Sequence, residues 1–189
     1  MVDTAPEPLP FADEPVLSAL AEYWSRLRRG RRMPQRAEIS PFEIPKPILP
    51  FLIIAEFIEG SPSVRFRLVG TEMVEHFGFD FTGRTTAEVA SGSYREYLEG
   101  LFQMVRESGE PTYSESAFQW DRGGILGTRR LMLPLATAEL EPGQVLIGQV
   151  WPEDSRADRG PATAKVIPTA LMDRNFHRKV RLPPAPDDR

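Results

Sequence analysis

The sequence predicts an α+β domain, an antiparallel five-stranded sheet with helices on one face, preceded by an amphipathic N-terminal helix. Three observations carry this. Residues 51–58 and 64–69 form a hairpin pattern around the turn "EGSPS". Three further strand patterns follow residue 111. Between the two groups the chain reads as short helices punctuated by glycine.

The elements follow in order. Residues 1–13 hold Pro6, Pro8 and Pro10 with little apolar content, and read as a disordered leader. Val16, Leu20, Tyr23, Trp24 and Leu27 then recur at helical spacing, the stripe of an amphipathic helix over 14–30 that stops at Gly30. Residues 31–50 are proline-broken and read as a connector.

The core is expected over 51–152. "FLIIAEFI" reads as a buried strand, and in the next strand Val64, Phe66 and Leu68 alternate with Arg65 and Arg67. The period then changes. Met73, Val74 and Phe77 take helical spacing, with Thr71 placed as the cap and Gly78 as the stop. Thr85 with Glu88, and Ser93 with Glu96, match the capping box. The second box opens a helix whose Tyr97, Leu98, Leu101, Phe102 and Val105 share one face. Strands are expected at 112–120, over "TRRLMLPLA" and at 144–151, with Pro142-Gly143 as the turn between the last two. Residues 153–189 form a largely flexible extension, in which Leu171, Met172 and Phe176 predict one short helix over 168–181.

A chain of 189 residues fits one domain, and 41% apolar content suffices for a core. The net charge of −4 favours solubility. No apolar run of about 18 residues predicts a membrane span, and the first residues lack the basic and apolar regions of a secretion signal. A cytoplasmic protein is expected. Without cysteine there is no disulfide, thiolate metal site or cysteine nucleophile. The two histidines, His76 and His177, leave carboxylates to build any acid–base site, so neither a metal centre nor an enzyme is expected.

Residues 64–89 carry a pattern that resembles PAS domains. A strand passes into a short helix ending in Gly78-Phe79, followed by the step Gly83-Arg84 and the helical turn "TTAEVA". "YW..LR.GRR.P.R.EI.P..IP" over 23–45, with "RLVGT", resembles a bacterial subgroup of single PAS domains of mostly unassigned function. The similarity covers residues 16–152. It implies helices folded across one sheet face over a small cavity, and a stand-alone sensory or interaction module in signal transduction, binding a small molecule or an unidentified signalling protein. Many PAS sequences have Asn where this chain has Gly70-Thr71.

Phe77, Phe79, Phe81, Tyr97, Phe102, Phe118 and Trp120 are the rings that either line such a cavity or fill the core, with Arg67 or Arg129 as polar partners. The photoactive flavin and coumaroyl types need a cysteine, so both are excluded. A haem type needs an axial ligand, and His76 beside Glu75 reads as a surface histidine, so haem is not expected. Non-covalent flavin has no positive sign, and the cofactor is unassigned. The N-terminal stripe of Val16, Leu20, Tyr23, Trp24 and Leu27 packs on its own sheet or on a second copy, and a homodimer is the favoured reading.

The residues also offer two alternative readings. Arg26, Arg28, Arg29, Arg31, Arg32 and Arg36 form a basic cluster, and Arg32-x-x-x-Arg36 resembles the spacing with which PilZ domains bind cyclic di-GMP. The acidic element that should follow departs from that pattern, with Glu38 and Glu43 at its outer positions, and nucleic acid is not expected as a partner. Glu75 and Asp80 flanking a cavity would suit proton transfer, as in small α+β isomerases.

Overall fold

The strand β1 (Leu52–Phe57) buries four consecutive residues because its sheet is covered on both faces. In the computed structural model, residues 8–119, 125–137, 140–152 and 172–183 are described. Helix α1 (Pro15–Arg28) comes first, then 3-10 turns at Arg36–Glu38 and Lys46–Phe51. β1 and β2 (Val64–Val69) form the hairpin. Helices α2 (Thr71–Phe77), α3 (Thr86–Val89) and α4 (Gly92–Ser108) follow, then β3 (Thr112–Gln119), β4 (Ile125–Ala136), β5 (Pro142–Val150) and β6 (Met172–Lys179). The strands lie in the order β2-β1-β5-β4-β3-β6, every pairing antiparallel.

Alternation sorts the side chains between two cores. Leu52, Ile54, Leu131, Leu133, Leu135, Leu146 and Val150 face α1. Ile53, Ala55, Val64, Phe66, Met132, Val145 and Ile147 face α2, α3 and α4. Burying each large side chain contributes about 1.5–3 kcal/mol, so the two layers are comparable in weight.

The fold class is the one expected, with three corrections. The sheet has six strands and not five. Residues 172–179 add a strand along β3, with pairings from Phe118↔Met172 to Thr112↔Lys179, where the sequence spacing suggested a helix over 168–181. An open β3 edge offers a row of hydrogen-bonding groups, and pairing with it outweighs a weak helical spacing.

The second correction concerns α1. Leu20, Tyr23 and Trp24 are fully buried, and Leu27 nearly so, against this chain's own sheet, with Val16 packed at the margin. The stripe assigned to a homodimer is therefore occupied in cis. Gly148 of β5 permits the close approach: a Cβ there would lie 2.7 Å from Leu20 Cδ2 and 3.0 Å from Leu17 Cδ2.

Third, two caps differ. Gly70, not Thr71, is the N-cap of α2, and Ser91, not Ser93, that of α4. A Cβ on Gly70 would collide with the carbonyl of Pro50, and the Gly70 amide donates to Leu52 O at 2.7 Å. That packing requires a glycine at this junction.

Candidate functional site

The segment between β2 and α4 cannot lie flat on the sheet. Gly78 ends α2 with φ 75° and Gly83 turns the loop with φ 85°, both left-handed conformations that favour glycine. Side chains pin what lies between. Asp80 Oδ1 accepts from the Thr82 amide at 2.9 Å, and that bond holds the Asp80 carboxyl below its usual range. Thr85 and Glu88 form the expected capping box. Thr86 Oγ1 accepts from the Val64 amide at 3.1 Å, tying α3 to β2.

Beneath this arch lies a cavity of about 40 Å³. Its lining is mostly apolar: Phe77 from α2, Phe81 from the loop, Val89 from α3, Leu98 and Phe102 from α4, and Ile53, Phe66, Met132 and Ile147 from the sheet. Phe81 packs edge-on to Phe66, with ring centroids 4.9 Å apart, and to Phe77 at 5.8 Å.

One wall is polar. Arg130 of β4 and Gln149 of β5 lie directly opposite each other in the sheet register, and each is 3% exposed. The guanidinium donates from Nε to Gln149 Oε1 at 2.7 Å, from Nη1 to Ser116 Oγ at 2.8 Å, and from Nη2 to the Tyr94 hydroxyl at 3.0 Å. Ser116 is hydrogen-bonded in turn to Thr128 at 2.7 Å. Tyr94, Arg130 and Gln149 all line the cavity. Among the described residues Arg130 has no carboxylate partner. Beside it Tyr97 is raised above the ordinary phenol range, chiefly by burial, while Arg130 pulls it down.

Of the sequence-predicted ligand residues, Phe77 and Phe102 line the cavity, as does Phe81. Phe79 packs at the edge of the same core, against Phe81 and under Arg84. Tyr97 also flanks that core, while Tyr94 takes the lining position. Phe118 belongs to β3, but its side chain, like all of Trp120, lies outside the described residues. Arg67 is a correction: it is exposed and pairs with Glu56 at 3.4 Å. Arg129 points elsewhere too, toward Glu115 and Asp13.

Sequence reasoning missed Arg130 and Gln149. With both sheet faces covered, alternation alone does not say which of the adjacent Arg129 and Arg130 is inside. The available signal was parity with Met132, which puts Arg130 on the face of α4.

The residues expected to serve the two alternatives do not line the cavity. Glu75 and Asp80 are exposed and neither lines the cavity. Arg31 caps α1 through Leu27 O and Arg28 O and pairs with Glu38 at 2.7 Å. That pairing holds the Glu38 carboxyl below its usual range. Arg32 reaches the Ser108 carbonyl at the end of α4, and Arg36 donates to Gln144 at 2.9 Å. The arginines that would grip a cyclic dinucleotide are thus committed within the chain.

A flavin or haem does not fit here. Ligands of that bulk need cavities of about 300–1,000 Å³, against the 40 Å³ present. His76 is outside the lining and stacks on Trp151, centroids 3.8 Å apart at 19°. Among the described residues no cluster of three or more metal-ligating side chains occurs, and no helix is long and apolar enough to cross a membrane.

A family model described as a PAS domain matches residues 12–169. No curated protein is matched. Among solved structures, a light-oxygen-voltage domain studied with a flavin analogue is 14% identical, with a TM-score of 0.42 over 56% of this chain and 79% of that one. The Rhodobacter sphaeroides light-oxygen-voltage protein is 11% identical, with a TM-score of 0.42 over 57% of this chain and 60% of that one. An RNA-binding light-oxygen-voltage receptor is 13% identical, with a TM-score of 0.41 over 84% of this chain and 38% of that one.

Proposed function

The chain belongs to the PAS domain family, and on that premise we propose that it is a sensory signalling module whose cavity receives a small molecule. One observation carries the reading: rings and aliphatic side chains enclose the space under α2, α3 and α4, while a buried polar pair closes it at the sheet. Apolar enclosure supplies affinity, and a few placed polar groups supply orientation. Output then passes by contact with a signalling protein, as occupancy shifts the populations of pre-existing conformations.

Binding is the whole activity in this reading, and the proposed setting is cytoplasmic. The test is a thermal-shift panel of metabolites, joined to mass spectrometry of whatever leaves the purified protein on denaturation. At least one compound is expected to raise the melting temperature of the wild type but not of Val89→Phe, which fills the cavity. If no compound does so and nothing is released, the sensory reading fails.

A further inference from the structure

We propose that the occupant of this cavity is a small carboxylate whose head group pairs with Arg130. The inference rests on the ligand-binding reading and adds the chemistry of the ligand.

Charged side chains this deeply buried are normally paired with an opposite charge. Here a guanidinium at 3% exposure has, among the described residues, only neutral acceptors: an amide oxygen and two hydroxyls. A guanidinium carries five N–H donors, and these three bonds leave two unused among the described residues. Removing the charge from water is costly, and neutral partners offset only part of that cost.

A second group points to the same chemistry. Gln149 gives its Oε1 to Arg130, and its Nε2, also buried, has no partner. The polar wall therefore presents surplus donors and positive charge, with no acid facing it among the described residues. A carboxylate is the complement: it only accepts, and its two oxygens offer about four lone-pair sites. A neutral alcohol or amide can fill the space but leaves the charge uncompensated. Charge-assisted bonds of guanidinium to carboxylate are also the stronger kind.

Volume sets the size. One water needs about 10–15 Å³ of such space, so 40 Å³ takes about three or four non-hydrogen atoms. That is formate or acetate, the acetate methyl toward Phe77 and Phe102, with propionate one atom over the limit. A ligand of four heavy atoms reaches at best a dissociation constant of about 40 µM, so the site would report a compound present at high micromolar to millimolar levels.

The test is a titration of the ¹⁵N-labelled full chain with formate, acetate and propionate at constant pH and ionic strength, with acetamide as the neutral isostere. The side-chain resonances of Arg130 Nε and Gln149 Nε2 are read together with the melting temperature. Saturable shifts at both side chains and a rise in melting temperature with the carboxylates, absent with acetamide, are expected. Gln149→Leu should weaken acetate binding about tenfold, the loss of one bond to a charged group, and Arg130→Gln should abolish it. If Arg130→Gln does not fold, the comparison of acetate with acetamide and the Gln149→Leu variant decide the matter. Equal binding of acetamide and acetate, or non-saturating shifts scattered over the surface, overturns the proposal. Should neutral compounds bind and carboxylates not, or none of the four bind, this inference fails, while the sensory reading stands or falls on the metabolite panel.

Discussion

Trp24 of α1 donates its indole N–H to the carbonyl of Pro134, 3.0 Å away, where β4 has run past the end of β3. The pairing of β3 with β4 stops at Met132, so Pro134 sits on a local edge in an otherwise central strand. A proline, lacking an N–H, is tolerated there and not in a fully paired strand. Two residues on, the Ala136 amide is taken by Pro34 O at 2.9 Å. The connector and α1 thus cover an edge that the sheet leaves open.

Trp24→Phe keeps most of the ring but strands the buried Pro134 carbonyl. A loss of about 1–3 kcal/mol is expected in chemical denaturation. Leu20→Asp should unfold the protein, because that side chain is fully buried within one chain. A folded Leu20→Asp variant differing only in mass by light scattering would restore the dimer reading of α1.

Gly70→Ala places a methyl against the Pro50 carbonyl. The backbone must shift, at a cost of about 1–3 kcal/mol by the usual measure of overpacking. Thr71→Ala, one residue on, should change stability by less than about 0.5 kcal/mol, since Thr71 is not the cap. Equal effects at the two positions would refute this assignment of the N-cap.

Tyr113 is fully buried, and its hydroxyl bonds to Glu115. Burial, then the Glu115 carboxylate, push its pKa well above the ordinary 10.0. The folded state therefore holds this proton more tightly than the unfolded state. The associated stability is fully present below about pH 10 and is lost as pH rises through the higher folded value. Alkaline unfolding of Tyr113→Phe should show a shallower fall above pH 10 than the wild type. Parallel curves would mean that Tyr113 does not govern that limb.

Arg32 lies over the Gly109 turn and donates to Ser108 O at the end of α4. Arg32→Ala is expected to lower the denaturation midpoint by about 0.5–1.5 kcal/mol equivalent, the usual net value of a hydrogen bond. Calorimetric titration of the wild type with cyclic di-GMP should give no heat. A clear isotherm lost in Arg32→Ala would revive the nucleotide reading.

Much of the fold was legible because local chemistry and tertiary packing agree. The alternation at Val64 and Phe66, the stop at Gly78 and the box of Thr85 with Glu88 each follow from backbone and side-chain rules that neighbours leave untouched. The site was half legible. Phe77, Phe81 and Phe102 stood out as rings on a broken stretch. Arg130 did not, because its neighbour Arg129 looks the same in sequence and only the layer under α4, shared with Met132, makes one of them interior. The position of α1 and the strand β6 depend on contacts far along the chain, which spacing within a segment does not report.

β5 is shared by both layers at a single step of chain. Gly148 receives Leu17 and Leu20 from above, and Gln149 grips Arg130 below. On the α1 side this step is close-packed, and on the other it borders the cavity. The cavity's polar wall and the underside of α1 are thus adjacent positions of one strand, separated by a single peptide bond with no loop or hinge in between.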